Sequence, residues 1–305
     1  MKSNNADNDY RSGFIALTGL PNVGKSTLIN MITGAKVSIV SDKPQTTRHR
    51  ILGVKTGEGY QIVFVDTPGF YPPRHELGKY LVKVVKEETQ AADLVLLLVD
   101  GAKPRPEKTI KLLKKIYFPL KNGIPIFLVI NKIDLIPHEK ILEIIENHRH
   151  IADFEEVIPV SAKTGENIDL LVDLIKKRLP EGPQYFPPDA ISDQDQKIQF
   201  AEIIREKLLI LTRQEIPHSV AVQVEEIRPG KSPGTLYINA VIFVEKPSQK
   251  GIILGKGGKL IKKAGMLARE EIEFLTGENV YIDLWVKVKD DWRERPDVLR
   301  QLGYW

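Results

Sequence analysis

Eight residues, Gly19-Leu20-Pro21-Asn22-Val23-Gly24-Lys25-Ser26, constrain this chain more than any other feature. The pattern G-x-x-x-x-G-K-[ST] has meaning only as a loop between a strand and a helix. Its flanks supply that setting: a β-branched and leucine run at 15–17 precedes it, and helical spacing opens near Lys25. In such a loop the backbone N–H groups form a concave anion nest, and the helix N-terminus adds its positive dipole end. Lys25 then reaches the β and γ phosphates of a nucleotide, Ser26 offers a hydroxyl to Mg2+, and Thr27 continues the nest into the helix.

Short apolar runs recur after this loop, at 62–65, 94–99, 126–130 and 157–160, with helical spacing between them at 77–89, 107–120, 140–147 and 168–179. Strand-helix alternation of this kind predicts a parallel sheet covered on both faces. A pair at 51–56 and 60–65 around Gly57-Glu58-Gly59 predicts a hairpin that adds one antiparallel strand. The expected fold is an α/β P-loop NTPase domain with a mixed, mostly parallel sheet.

Three further motifs fall at the ends of those strands. Asp66-Thr67-Pro68-Gly69 follows the 62–65 run, so the Asp66 carboxylate emerges beside the phosphates to hold Mg2+ through water, and the Gly69 N–H meets a γ-phosphate. Asn131-Lys132-Ile133-Asp134 closes the 126–130 run. An aspartate accepts both the ring N–H and the exocyclic amine of guanine, a donor pair that adenine lacks, which predicts GTP over ATP. Ser161-Ala162-Lys163 at the next strand end offers a backbone N–H for the guanine carbonyl. Between the phosphate loop and Asp66 lies the polar loop 44–50, in which Thr47 is expected to complete the Mg2+ shell when γ-phosphate is present. Arg48, His49 and Arg50 there read equally well as solvated loop residues.

Residues 180–188 hold four prolines and a glycine, which suits an extended linker. The expected organisation is a flexible leader at 1–12, a nucleotide domain at 13–180, a proline-rich linker at 181–194 and a second domain at 195–305. That second domain reads as a helix at 196–211, strands at 219–227 and 235–244, a glycine-rich turn, a helix at 259–275 and a strand at 280–287. It is a small α+β unit. Its turn, Gly255-Lys256-Gly257-Gly258, is a G-x-x-G loop of the kind that clamps about four nucleotides in KH domains. Seven basic and no acidic residues stand between 246 and 269, a local field suited to an RNA backbone. Lys250, Lys256, Lys259, Lys262 and Lys263 are the candidate phosphate contacts, and Ile252, Ile253 and Leu254 the candidate apolar wall. Trp285 and Trp292 read as packing residues.

Composition bounds the remaining choices. With no cysteine, neither a disulfide framework nor a thiolate metal site is available. The first ten residues are polar and acidic, unlike a signal peptide, and the longest apolar run, 94–99, is far short of the roughly 20 residues that span a bilayer. The net charge of +4 with a pI near 8.9 leaves room for a basic face.

From Phe14 onward, the four motifs in this order, the loop form Gly-Leu-Pro-Asn-Val-Gly-Lys-Ser and the stretch Gln45-Thr46-Thr47-Arg48-His49 resemble the Era-like subfamily of translation-factor-related GTPases. The resemblance implies GTP hydrolysis with Mg2+ and catalytic roles for Lys25, Thr47, Asn22 and Gly69. Phe70 stands where a Ras-type protein has its water-positioning glutamine, and the resemblance implies that Asn22 helps to bind K+. It also implies a KH domain of the second topological type that binds single-stranded RNA near the 3′ end of small-subunit ribosomal RNA, in the setting of small-subunit assembly. A cytoplasmic monomer is expected. The lysine cluster also permits peripheral attachment to anionic lipid at the inner face of the cell membrane, although it lacks the apolar face of an interfacial helix.

Overall fold

The computed structural model describes residues 10–43, 45–117, 123–212 and 216–304. The first half alternates as predicted: β1 (Arg11–Gly19), α1 (Lys25–Thr33), β2 (Ile51–Gly57), β3 (Tyr60–Asp66), α2 (Glu76–Ala91), β4 (Leu94–Asp100), α3 (Pro106–Ile116), β5 (Ile126–Asn131), α4 (His138–Arg149), β6 (Glu156–Pro159) and α5 (Ile168–Arg178). The six strands form one sheet in the order β2-β3-β1-β4-β5-β6, in which only β2 runs antiparallel to its neighbour.

Period-two alternation along the central strands splits the core in two. Leu96, Leu98, Phe127 and Val129 face α1 and α5, where Leu28, Ile29, Leu171 and Ile175 cover them. Val95, Leu97, Leu128 and Ile130 face the other layer, against Val85 of α2, Leu112 and Leu113 of α3 and Ile144 of α4. Because both faces are covered, β4 and β5 are apolar at every position except their C-terminal Asp100 and Asn131. Those two polar residues mark the edge of the sheet where the loops of the site gather.

The expected helix at 107–120 ends at Ile116, and residues 118–122 lie outside the described residues, as do the leader through residue 9 and Pro44 of the polar loop. The proline-rich segment is no free tether. Gly182 N–H donates to the Tyr10 carbonyl at 3.1 Å, Ser12 Oγ to Pro183 O at 2.6 Å, and the Gln61 amide holds the main chain of Tyr185 and Phe186 at 2.9 Å. Val54 N–H on the edge strand β2 donates to Ile191 O at 2.8 Å, so the segment covers an edge that would otherwise be open.

The chain divides into two compact units, and this segment belongs to the first, which runs to Asp193. The second unit starts at Gln194 and also takes in Ile39–Thr46 and Pro73–Tyr80, two segments that the sequence alone assigned to the nucleotide domain. Within that unit Val40 N–H donates to Glu206 Oε1 at 2.9 Å.

The second unit contains α6 (Gln196–Leu211), α7 (Ile216–Ser219), β7 (Ala221–Pro229), β8 (Thr235–Val244), α8 (Pro247–Leu254), α9 (Lys259–Thr276), β9 (Asn279–Val288) and α10 (Pro296–Gln301). Its sheet runs β7-β8-β9, antiparallel then parallel, with β9 at an edge. One face is closed by α6 and α9: Phe200, Ile204 and Leu208 meet Ala264, Ala268 and Ile272 over Val222, Ile238 and Ile242. The small residues Ala264 and Ala268, one turn apart, let α9 come close. Trp292 is fully buried, as expected of a packing residue, and its indole N–H donates to Ser219 O at 2.9 Å. Trp285 departs from that expectation: it lies on the opposite face of the sheet, 57% exposed. Among the described residues no helix is long and apolar enough to cross a membrane.

Candidate functional site

The sequence motifs of the first unit converge at the C-terminal ends of β1, β3, β5 and β6. β1 ends at Gly19 and α1 begins at Lys25, so the phosphate-binding loop spans the turn between them, with Asn22 at φ 64° and Gly24 at φ 97°. β3 ends at Asp66, and the segment after it doubles back on the loop, since Phe70 N–H donates to Gly19 O at 3.0 Å. A Cβ on Gly69 would stand 2.9 Å from Pro21 Cα, which is why the main chain there is bare. The Phe70 ring itself points into the core among Val95, Leu97 and Leu113.

Asp66 gathers every hydroxyl in reach. Its Oδ2 accepts from Ser26 at 2.7 Å, Ser38 at 2.7 Å and Thr47 at 3.3 Å, and the Ser26 and Thr47 oxygens are 3.1 Å apart. Asn30 of α1 delivers Ser38, accepting the Val37 and Ser38 N–H groups on its Oδ1 and donating to Ser38 O. Asp66 Oδ1 is buried without a partner. One orphaned carboxylate oxygen beside the paired Ser26 and Thr47 hydroxyls is an incomplete oxygen shell of the sort that Mg2+ takes from a protein when phosphate oxygens and water supply the rest. Among the described residues no group of three or more His, Cys, Asp or Glu side chains is set to hold a metal by itself. The donor set fits Mg2+ brought with a nucleotide.

The charges are unbalanced in the same sense. Burial lowers the Lys25 pKa, against the attraction of Asp66, and burial raises that of Asp66, against Lys25 and the three hydroxyls. A phosphate beside Lys25 and a cation beside Asp66 would each favour the charged form that burial disfavours.

The base end is tied to the phosphate end by one side chain. Asn131 Nδ2 donates to Val23 O at 2.9 Å, while its Oδ1 accepts from Ala162 N–H at 2.9 Å and Lys132 N–H at 2.8 Å. Of the backbone N–H groups that Ser161-Ala162-Lys163 could offer a guanine carbonyl, that of Ala162 is thus engaged by Asn131. Lys132 has φ 68° and its ammonium bridges Asn22 O and Asp100 Oδ2, both at 2.6 Å. Asp134 is held at 2.6 Å by Ser161 Oγ, which also accepts from Thr164 N–H at 3.1 Å. Lys163 is exposed beside them. Two members escaped the sequence reading. Asp100 was findable as the one polar residue closing the 94–99 apolar run, whereas Ser38, in a loop without pattern, carried no signal.

The second unit holds a separate candidate interface. Gly255 ends α8, Lys256, Gly257 and Gly258 make a tight turn, and α9 starts at Lys259. Gly257 has φ 62° and nothing within 4 Å of a built Cβ, so this loop leaves room for a phosphate backbone. Lys256, Lys259, Lys262 and Lys263 are exposed around it, with Lys250 half-buried. Ile253 must be withdrawn from the apolar wall: it is completely buried in the unit's core, because α8 packs that face inward. Ile252 is 48% exposed, and Leu254 packs partly against the core. The apolar groove beside the loop, of about 300 Å³, is built instead from Ile261, Gly265 and Met266 of α9 and Val280, Ile282 and Leu284 of β9, with Lys262 and Arg269 at its rim.

Comparison with known proteins places relatives on both sites. Residues 14–132 match the family model described as 50S ribosome-binding GTPase, and residues 215–293 match a KH domain. The GTPase Era of Heliobacterium modesticaldum is 48% identical over 96% of this chain and 97% of its own. Two solved structures superpose with a TM-score of 0.92. One is a single-residue variant of Aquifex aeolicus Era bound to GDP.AlF4-, 42% identical, covering 96% of this chain and 99% of that one. The other is Era in complex with MgGDPNP and nucleotides 1506-1542 of 16S ribosomal RNA, 43% identical, covering 97% and 99%.

Proposed function

The chain belongs to the Era family of GTPases, and from that premise we propose that it is a GTP-hydrolysing switch that binds the 3′ region of small-subunit ribosomal RNA during assembly of the small ribosomal subunit. The observation that carries the nucleotide half is Asn131, which joins the phosphate loop at Val23 to the base loop at Ala162 in one pair of hydrogen bonds. Guanine then falls between Asp134 and the Lys132 stem, and the triphosphate lies along residues 19–27. The relatives bound to GDP.AlF4- and MgGDPNP support this orientation.

In this reading Lys25 neutralises the β and γ phosphates, Gly69 N–H holds a γ-phosphate oxygen, and Thr67 Oγ1, which donates to Leu17 O at 2.6 Å, fixes the turn through Pro68 that carries Gly69. Ser26, Thr47 and Asp66 would hold Mg2+, which when bound supplies positive charge at the β and γ oxygens. Thr47 lets go of Asp66 when it turns to the nucleotide, and this exchange makes its loop a sensor of γ-phosphate. Phe70 is sealed in the core, so no side chain at that position orients the attacking water.

Asn22, exposed on the loop with its carbonyl held by Lys132, is the candidate K+ ligand. Replacing K+ by Na+ in a turnover assay is expected to slow hydrolysis by about tenfold or more, the order of effect of a lost transition-state charge. Equal rates in the two salts would remove the assignment.

The RNA half rests on the G-x-x-G loop and the groove beside it. Gly257→Asp tests it beside Gly257→Asn: at φ 62° either side chain is strained although nothing lies within 4 Å of a Cβ, both residue types visit that backbone conformation, and only the carboxylate repels phosphate. For Asp, RNA affinity should fall at least about tenfold with GTP turnover unchanged; undiminished affinity would count against the groove. The relative's RNA runs from nucleotide 1506 to 1542, much longer than the about four nucleotides that such a loop clamps. We take the working form to be a cytoplasmic monomer, and the exposed lysines around α8 and α9 support peripheral contact with the inner face of the cell membrane.

A further inference from the structure

The outer face of the β7-β8-β9 sheet, opposite α6 and α9, takes no part in the function proposed above, yet it carries aromatic side chains in open solvent. In β9 Val280, Ile282, Leu284 and Val286 turn toward the helices, which leaves Tyr281, Asp283, Trp285 and Lys287 on the outer side. Arg228, Tyr237 and Tyr281 are paired across all three strands. The Arg228 guanidinium sits 4.0 Å over the Tyr237 ring, and Tyr237 stacks on Tyr281 with centroids 5.9 Å apart and planes at 13°. Tyr237 is steadied further by its hydroxyl on Asp283 Oδ2 at 3.4 Å. Trp285 follows four residues along the same strand, about 13 Å away. Tyr281 and Trp285 are 60% and 57% exposed.

The rest of this face is closed by the chain's own tail. Gln301 accepts from Gln223 and Lys289, Lys289 lies over Phe243, and Phe243 is buried. Among the described residues the tail thus covers the aliphatic end of the face, while Tyr281 and Trp285 at the aromatic end stay exposed.

We propose that this aromatic end is a second single-stranded RNA surface, on which bases stack against Tyr281 and Trp285 after the strand leaves the groove over the β9 edge. Continuity carries the inference: Tyr281 lines the groove on one side and belongs to the Arg228-Tyr237-Tyr281 row on the other. An aromatic-bearing sheet face is also how RRM domains take two or three bases. Charge on the face is balanced, with Lys287 against Glu225 at 3.6 Å and Arg228 against Glu226 at 3.2 Å. Binding there comes from stacking rather than from phosphate contacts, and its contribution is insensitive to salt.

The proposal rests on the RNA-binding reading, so its test separates the two. The full chain is titrated with a single-stranded RNA of about four nucleotides, which the groove alone accommodates, and with one of about twelve, within the range one such surface plus the groove can cover. Trp285→Ala is expected to leave the short RNA unaffected and to weaken the long one about 5- to 100-fold, with an unchanged slope of affinity against salt. Trp285→Tyr should restore most of the loss. Equal weakening of both RNAs, or none of the long one, overturns the second surface while groove binding stands. Failure of the unaltered chain to bind either RNA overturns both readings. Unaltered RNA binding together with a self-association that Trp285→Ala abolishes would assign the face to a second copy of the chain instead.

Discussion

Lys25→Ala is expected to lower affinity for GTP by about 100- to 10,000-fold, because two charge-assisted hydrogen bonds to phosphate are lost at about 1.5–3 kcal/mol each. The position magnifies the loss. Lys25 is 6% exposed, and burial disfavours its charged form against the attraction of the nearby Asp66. A nucleotide relieves that imbalance, and alanine leaves the phosphates facing the uncompensated Asp66 carboxylate. Titration calorimetry with GTP and GDP is the direct measurement. Nucleotide affinity within about threefold of the unaltered chain, a difference of less than 1 kcal/mol, would defeat the assignment of residues 19–27. RNA affinity without nucleotide should be unchanged, since the groove of α9 and β9 contains none of these residues.

How legible these sites were depends on whether function sits in local pattern or in packing. The phosphate loop, Asp66 and Asp134 were readable because each follows an apolar run whose end on a parallel sheet is dictated by topology. Strand periodicity also placed the antiparallel hairpin of β2 and β3, whose bend at Gly57-Glu58-Gly59 needs no long-range partner. The proline-rich segment was legible only in part for the opposite reason: composition predicts an extended chain, but it cannot say that Gln61, Ser12 and Val54 hold that chain by hydrogen bonds along a sheet edge. The groove shows the same limit. A basic run around G-x-x-G marked the loop, yet which of Ile252, Ile253 and Leu254 faces outward is set by how α8 rotates against the core, and that rotation buries Ile253. The groove beside the loop takes half of its lining from β9, more than twenty residues away in sequence. Trp285 and Trp292 make the point most sharply, since two tryptophans seven residues apart end with one in the core and one in solvent.

Asp134→Asn should convert the preference from guanine to xanthine nucleotides, with a change in discrimination on the order of 10⁴-fold. Guanine presents a ring N–H and an exocyclic amine, both donors, and the two oxygens of one carboxylate accept both. Asparagine keeps one acceptor and turns the other into a donor, which leaves the amine facing an N–H but matches the carbonyl that xanthine carries in its place. The exchange is conservative for the rest of the site. Asp134 accepts from Ser161 Oγ at 2.6 Å, and an asparagine carbonyl oxygen can accept from the same hydroxyl. The clamp between the phosphate and base loops runs through Asn131 and does not involve residue 134 at all. A fall in GTP turnover at subsaturating substrate, matched by a rise with xanthosine triphosphate, therefore reports base recognition rather than collapse of the loop. If the variant still prefers GTP, the base is read elsewhere. The Ser161-Ala162-Lys163 loop, whose Ala162 N–H Asn131 already engages, would then have to supply the selectivity through Lys163 or the ring's stacking on Lys132.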